Sequence, residues 1–187
     1  ASTDGVWDLD DSSDPDRVSG VSTYVGNDGK IHISGSLATL SASLSSAGVS
    51  IMSTSGKSVV VDGGLGTTDV SSISQGLFDD ALDVTVNLDD DLTSGATINL
   101  STSLTALDAI GVDTFTGTAG LDVEVTGGIG EDSVASLAGL FDDALDVSVV
   151  LNAADDVDTS SAATINLDTS LSALDHLGID TLSVDAD

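Results

Sequence analysis

Hydrophobic positions along this chain switch repeatedly between two periods. In ATINL, residues 96–100, Ile98 and Leu100 share one face and predict a short strand. TSLTALDAIG follows with Leu104, Leu107 and Ile110 at helical spacing, Ser and Thr at hand to cap the helix and Gly111 to stop it. VDTFTG resumes the strand pattern, and after a turn at Gly117–Gly120 the alternation of Leu121, Val123 and Val125 predicts another strand. EDSVASLAGLFDDAL carries Val134, Leu137, Ala138, Phe141 and Leu145 at helical spacing, and DVSVVLN closes with Val147, Val149 and Leu151 in alternation. The order is β-α-β-β-α-β, the split β-α-β or ferredoxin-like plan, so an α+β fold is expected.

The pattern repeats. GLFDDALDVTV (Gly76 to Val86) returns as GLFDDALDVSV 63 positions later, and ATINLSTSLTALDAIGVDTF (Ala96 to Phe115) returns as ATINLDTSLSALDHLGIDTL 67 positions later. HISGSLATLSASLSSAGVSI is a weaker first copy. Module 1 then spans 30–88 and module 2 spans 96–152, with acidic linkers at 89–95 and 153–162; residues 163–187 are a half module 3. A half unit leaves an open sheet edge. Either the chain is a slice of a longer array, the reading favoured here, or another element completes the half. The acidic N-terminal segment 1–29, with VWDLD and VSTYVG, is a donor strand or a linker, acting within the chain or on a neighbouring molecule.

Composition narrows the function classes. Hydrophobic residues make up 40% of the 187 positions, and with aromatics at only 3% the cores are built of Val, Leu, Ile and Ala. Three basic residues, Arg17, Lys30 and Lys57, face 32 acids, for a net charge of −29. Such a surface repels nucleic acid and anionic membranes. All but Glu124 and Glu131 of the acids are Asp, which with abundant Ser, Thr and Gly suits turns and oxygen-ligand cation binding. Cysteine is absent, excluding disulfides and thiolate chemistry, and no apolar run is long enough to insert in a membrane. The first residues have neither a basic nor an apolar leader segment, so any signal peptide is expected to have been removed already.

Several stretches invite a chemical reading. GGIGEDSVA, Gly127–Ala135, fits a calcium-binding nonapeptide, yet its counterpart GGLGTTDVS, Gly63–Ser71, does not preserve the Asp. A glycine-rich turn that opens the second helix, capped by Asp132, Ser133 or Asp69, is preferred. DLDDSSDPDR places Asp8, Asp10, Asp14 and Asp16 at the alternate spacing of calcium loops but lacks the central Gly and the terminal acid. The linker acids Asp89, Asp90 and Asp91, and Asp155, Asp156 and Asp158, occupy equivalent places between modules. For both groups Ca2+ binding stands against a simple solvated acidic segment. FDDALD, at Phe78–Asp83 and Phe141–Asp146, offers paired carboxylates; duplicated with the scaffold, they read as a packed Phe with a water-facing Asp pair. His32 and His176 are not at matching positions and have no nucleophile motif beside them, so no catalytic residue is expected.

SLTALDAIGVDTF and SLSALDHLGIDTLSVDAD, which share L-x-x-L-x-x-x-G-[VI]-D, resemble the repeat regions of large, acidic, secreted bacterial surface and biofilm adhesins over roughly residues 36–187. The resemblance implies secretion, an extended module array, calcium-dependent stiffness and a place in a cell-surface layer or matrix. Tandem calcium nonapeptides are missing here, which argues against a β-roll. The function expected is therefore a structural, adhesive, cell-surface protein, a homopolymer or array of modules docked end to end and stabilised by cations. The alternative is a calcium- or carbohydrate-binding module of a larger surface protein.

Overall fold

The computed structural model describes residues 6–9, 18, 21–66, 76–91, 97–130, 134–137, 139–151, 157–158, 164–165 and 169–184. In chain order these form β1 (Val6–Asp8), β2 (Ser22–Val25), β3 (Ile31–Ser34), α1 (Leu37–Ala47), β4 (Ile51–Ser53), β5 (Val59–Val61), β6 (Val84–Asn87), β7 (Thr97–Leu100), α2 (Leu104–Ile110) and β8 (Thr114–Thr116). There follow β9 (Asp122–Val125), β10 (Asp146–Leu151), β11 (Val157–Asp158), β12 (Thr164–Ile165), α3 (Leu171–Leu177) and β13 (Thr181–Val184). Short 3-10 turns occupy Leu88–Asp91 and Ala135–Leu137.

The three helices are set by the same local chemistry. Ser36, Ser103 and Ser170 each stand in an extended conformation and accept a bond from the backbone N–H three residues on, at 3.2, 3.3 and 3.2 Å. Gly48, Gly111 and Gly178 end the helices in the left-handed conformation. The second helix expected of module 2 is instead the three-residue 3-10 turn Ala135–Leu137. Its apolar positions Val134, Leu137 and Phe141 are still buried, whereas Leu145 is exposed. The matching stretch of module 1, residues 67–75, lies outside the described residues.

The fold is mixed α/β, and its sheets are mostly parallel. One has the order β2-β3-β5-β6-β8, in which only β2 runs antiparallel to its neighbour; the other, β7-β9-β10-β13, is parallel throughout. Strands β1 and β4 form a parallel pair, and β11 and β12 an antiparallel one. Among the interior strands, IHIS in β3 and DVEV in β9 alternate buried with less buried positions, whereas β5 is the unbroken apolar run VVV.

Superposing the sequence repeat on this topology exposes its logic. Each large sheet takes three strands from one module, β3, β5 and β6 or β7, β9 and β10. Its last strand is the second strand of the next module, β8 or β13. The borrowed strand keeps one register: Val86 lies opposite Phe115, and Val149 opposite Leu182. β1 holds that same relation to β4, with Trp7 opposite Met52. The N-terminal segment thus contributes two strands within the chain, β1 in the place of a module's last strand and β2 along the edge of β3. The half module likewise sends β13 to complete the sheet of module 2. Trp7, Met52, Val86, Phe115 and Val149 are all buried in one continuous core.

Candidate functional site

The junction between modules is where the repeated residues converge. Where a strand is lent, the Asp of the G-[VI]-D signature clasps the sheet that receives it. Asp113 accepts the backbone N–H of Val84 at 2.8 Å, and its own N–H donates to the Val84 carbonyl at 2.9 Å. Asp180 does the same to Val147, at 2.9 and 2.9 Å. A carboxylate acceptor makes such bonds stronger than neutral ones. The signature aspartate is therefore an inter-module fastener.

The glycine turn is a fastener of a different kind, acting within one module. Gly64 and Leu65 carbonyls accept the N–H groups of Leu37 and Ala38 at 2.9 and 3.0 Å; Gly128 and Ile129 accept those of Leu104 and Thr105 at 3.2 and 2.9 Å. These are first-turn donors that a helix cannot satisfy internally. Gly63 and Gly127 allow the approach: a Cβ on Gly63 would run into the Gly35 backbone, and one on Gly127 into the backbone of residues 101–103. Leu65 and Ile129 are buried behind them. GGIG thus seals the first turn of the preceding helix, α2, while residues 131–133 of the nonapeptide, and Asp69 of the other copy, lie outside the described residues.

In module 1 the FDDALD carboxylates are divided. Asp79 and Asp80 are both exposed, but Asp80 is engaged by the turn after β4. It accepts from Ser53 Oγ at 2.9 Å, from the Thr54 N–H at 2.9 Å and Oγ1 at 3.0 Å, and from the Ser55 N–H at 3.2 Å. Partial burial opposes its ionisation, but the Thr54 amide, the Ser53 and Thr54 hydroxyls and the Ser55 amide outweigh that and lower its pKa. Ser55 is held at φ 53°, a conformation that needs such support.

His32 is tied to the edge of its sheet. Its ring stacks on Tyr24 of β2 with centroids 4.9 Å apart. Nδ1 lies 3.2 Å from Asp62 Oδ1, and Nε2 lies 3.3 Å from Asp28 Oδ2. Burial alone would lower its pKa; the bonds to Asp62 and Asp28 and their charges raise it instead. Asp28 is lowered, chiefly by the Lys30 N–H it accepts at 3.1 Å. His176 is exposed on α3.

The expected metal ligands lie only partly among the described residues. Asp8 ends β1 opposite Ser53. Asp89 is exposed in the 3-10 turn after β6, where its N–H bonds Asn87 Oδ1 at 3.1 Å. Asp90 and Asp91 follow in that turn, and Asp158 pairs with Thr164 in the β11–β12 ladder. Asp10, Asp14, Asp16, Asp155 and Asp156 lie outside the described residues. Chain order does relate them: each acidic stretch follows the strand at the same place in the repeat, β1, β6 or β10. Among the described residues, no group of three or more His, Asp or Glu side chains is gathered as a metal site. No described helix is long and apolar enough to cross a membrane.

The junction clasp, the glycine-turn seal and the Asp80 and His32 contacts are not marked as sites by the sequence alone. Repetition is the trace that three of them leave: the Asp of G-[VI]-D, the Gly-Gly-x-Gly turn and FDDALD each occur in both copies. No protein-family model matches the chain, nor does any curated protein or solved structure.

Proposed function

We propose that this chain is a non-catalytic, secreted structural protein, a run of β-α-β-β-α-β modules of ferredoxin-like element order that builds an extracellular fibre, surface layer or biofilm matrix. One observation carries the reading: each large sheet is completed by a strand of the following module in a constant register. A module constructed this way is a link, with a socket at one end and a strand to lend at the other. Parallel pairing across every junction gives the links one direction, which suits a linear array.

The other features agree with a mechanical role. The Asp80 carboxylate is taken up by a turn rather than presented to a substrate. Acidic stretches recur after the same strand, so consecutive links would bring like charges near each other at a net charge of −29. Screening salt or Ca2+ should then favour the assembled state, because repulsion between exposed charges falls away beyond a Debye length of about 8 Å at physiological salt.

Electron microscopy of the full chain, with calcium and with chelator, tests the proposal. Filaments or layers that lengthen with calcium are expected, and removal of residues 1–29 should abolish them. Monomers under all three conditions would end the structural-array reading.

A further inference from the structure

The first helical residue is leucine in all three modules, but only two of these leucines are covered. Leu37 and Leu104 are 0% exposed beneath the Gly64–Leu65 and Gly128–Ile129 turns, whereas Leu171 of α3 is 73% exposed. The backbone repeats the contrast. Leu37, Ala38, Leu104 and Thr105 donate to those turns; among the described residues, Leu171 and Ser172 meet no such acceptors.

The strand after each helix tells the same story independently. Met52 of β4 donates to the Leu77 carbonyl at 2.9 Å, Phe115 of β8 donates to Leu140 at 3.4 Å, and both side chains are buried. In β13 the equivalent Leu182 is only partly buried, and Val184 is 44% exposed. Both missing covers belong to one continuous stretch of a module: the third strand, its Gly-Gly-x-Gly turn, and the Gly-Leu-Phe that precedes the fourth strand.

We propose that the α3–β13 end is a docking surface for a further copy of that stretch, the half that covers the helix within each of the two modules: a strand leading into Gly-Gly-x-Gly with an apolar x and then Gly-Leu-Phe. The inference rests on the array reading and names the chemistry of its joint. A purely apolar occupant would cover Leu171 but strip water from two backbone donors without replacing their bonds, which is costly. A turn whose consecutive carbonyls face the helix satisfies both, and both covered ends inside this chain are closed that way. A glycine at the position of Gly127 is required because any side chain there meets backbone.

The test appends a copy of residues 121–151 directly after Asp187, the register in which Asp187 takes the place of Gly120. Backbone hydrogen exchange is then read by NMR. The Leu171 and Ser172 amides should slow by about 100-fold, towards the rates of Leu104 and Thr105 in the same molecule. A second version, in which the appended counterpart of Gly127 is alanine, should lose most of that protection. Unchanged exchange at Leu171 and Ser172 while Leu104 and Thr105 stay protected would overturn the proposal, as would equal protection by the alanine version. Docking without fibres in the microscope would remove the array reading and leave the joint standing.

Discussion

Replacing Gly127 by alanine tests the close approach of the glycine turn to the start of α2, and its sign is informative. The backbone of Gly127 is not in the left-handed region. At such a position Gly→Ala ordinarily stabilises by about 0.4–1 kcal/mol, because the unfolded chain loses freedom. Here the new Cβ would stand 2.6 Å from both the Ser101 oxygen and the Ser103 nitrogen, where real Cβ atoms do not approach within 3.0 Å. Backbone cannot rotate aside as a side chain can, so the turn must lift off the helix. Overpacking of this kind costs about 1–3 kcal/mol. For a chain of this size that lowers Tm by roughly 2–12 °C, at two to four degrees per kcal/mol. Thermal unfolding by circular dichroism gives the shift, and hydrogen exchange at Leu104 and Thr105 should quicken because those amides bond the lifted turn. Gly120→Ala is the control: open space surrounds it, so its cost arises from its φ of 72° alone and should leave those two amides unchanged. A Gly127→Ala chain as stable as the parent, or more so, would refute the proposed close approach.

Asp180→Ala removes the carboxylate half of the clasp on Val147 and should cost about 1–2 kcal/mol, measured by urea denaturation; no loss would mean water replaces it freely. Asp80 has a lowered pKa in the folded chain, so its contribution is present above the unfolded value near 3.8 and lost as pH falls through the folded one. The stability difference between parent and Asp80→Asn should therefore shrink on acidification below pH 4; a constant difference refutes the assignment. His32 has a raised pKa, so its contribution is complete below the unfolded value of 6.5 and lost as pH rises through the folded one. Denaturation of His32→Gln should accordingly show a larger deficit at pH 5.5 than at pH 8.5, and the reverse order would contradict the bonds to Asp62 and Asp28.

Local chemistry was legible in the sequence where it acts within a few residues. Leu104, Leu107 and Ile110 make one buried face, Gly111 ends that helix, and Val123 and Val125 point inward as their alternation implies. Two features escaped. The stretch from Val134 to Leu145 has helical spacing, but its described residues form a 3-10 turn and further turns, and the Leu140 carbonyl accepts the N–H of Phe115 in the lent strand. Periodicity cannot distinguish these outcomes, since both bury Val134, Leu137 and Phe141. Strand order was the other. The sequence repeat begins with β3 or β7, whereas each sheet also takes in the next module's second strand. That offset depends on pairing partners far apart in the chain, which a period of one module does not encode. The glycines of GGIG were readable as a turn, but the reason for them, a backbone 25 residues earlier, was not.

The lent strands also decide how the chain should unfold. A module that kept all its strands in its own sheet would melt independently, coupled to its neighbour only through a surface. Here β4, α1 and β3 join the β1–β4 pair to the first large sheet, and β8, α2 and β7 join that sheet to the second. No sheet can open without removing a strand from the module beside it, so damage at one end should be felt at the other. The single tryptophan, Trp7, is fully buried in the β1–β4 pair and reports on the N-terminal end. Gly127→Ala and Asp180→Ala lie in the second sheet and its junction. If the modules are interlocked, either change should lower the Trp7 fluorescence midpoint in urea by the same amount as the circular dichroism midpoint. If the sheets are independent, Trp7 should hold its midpoint while the ellipticity transition broadens, and the strand-sharing account of the array would lose its mechanical consequence.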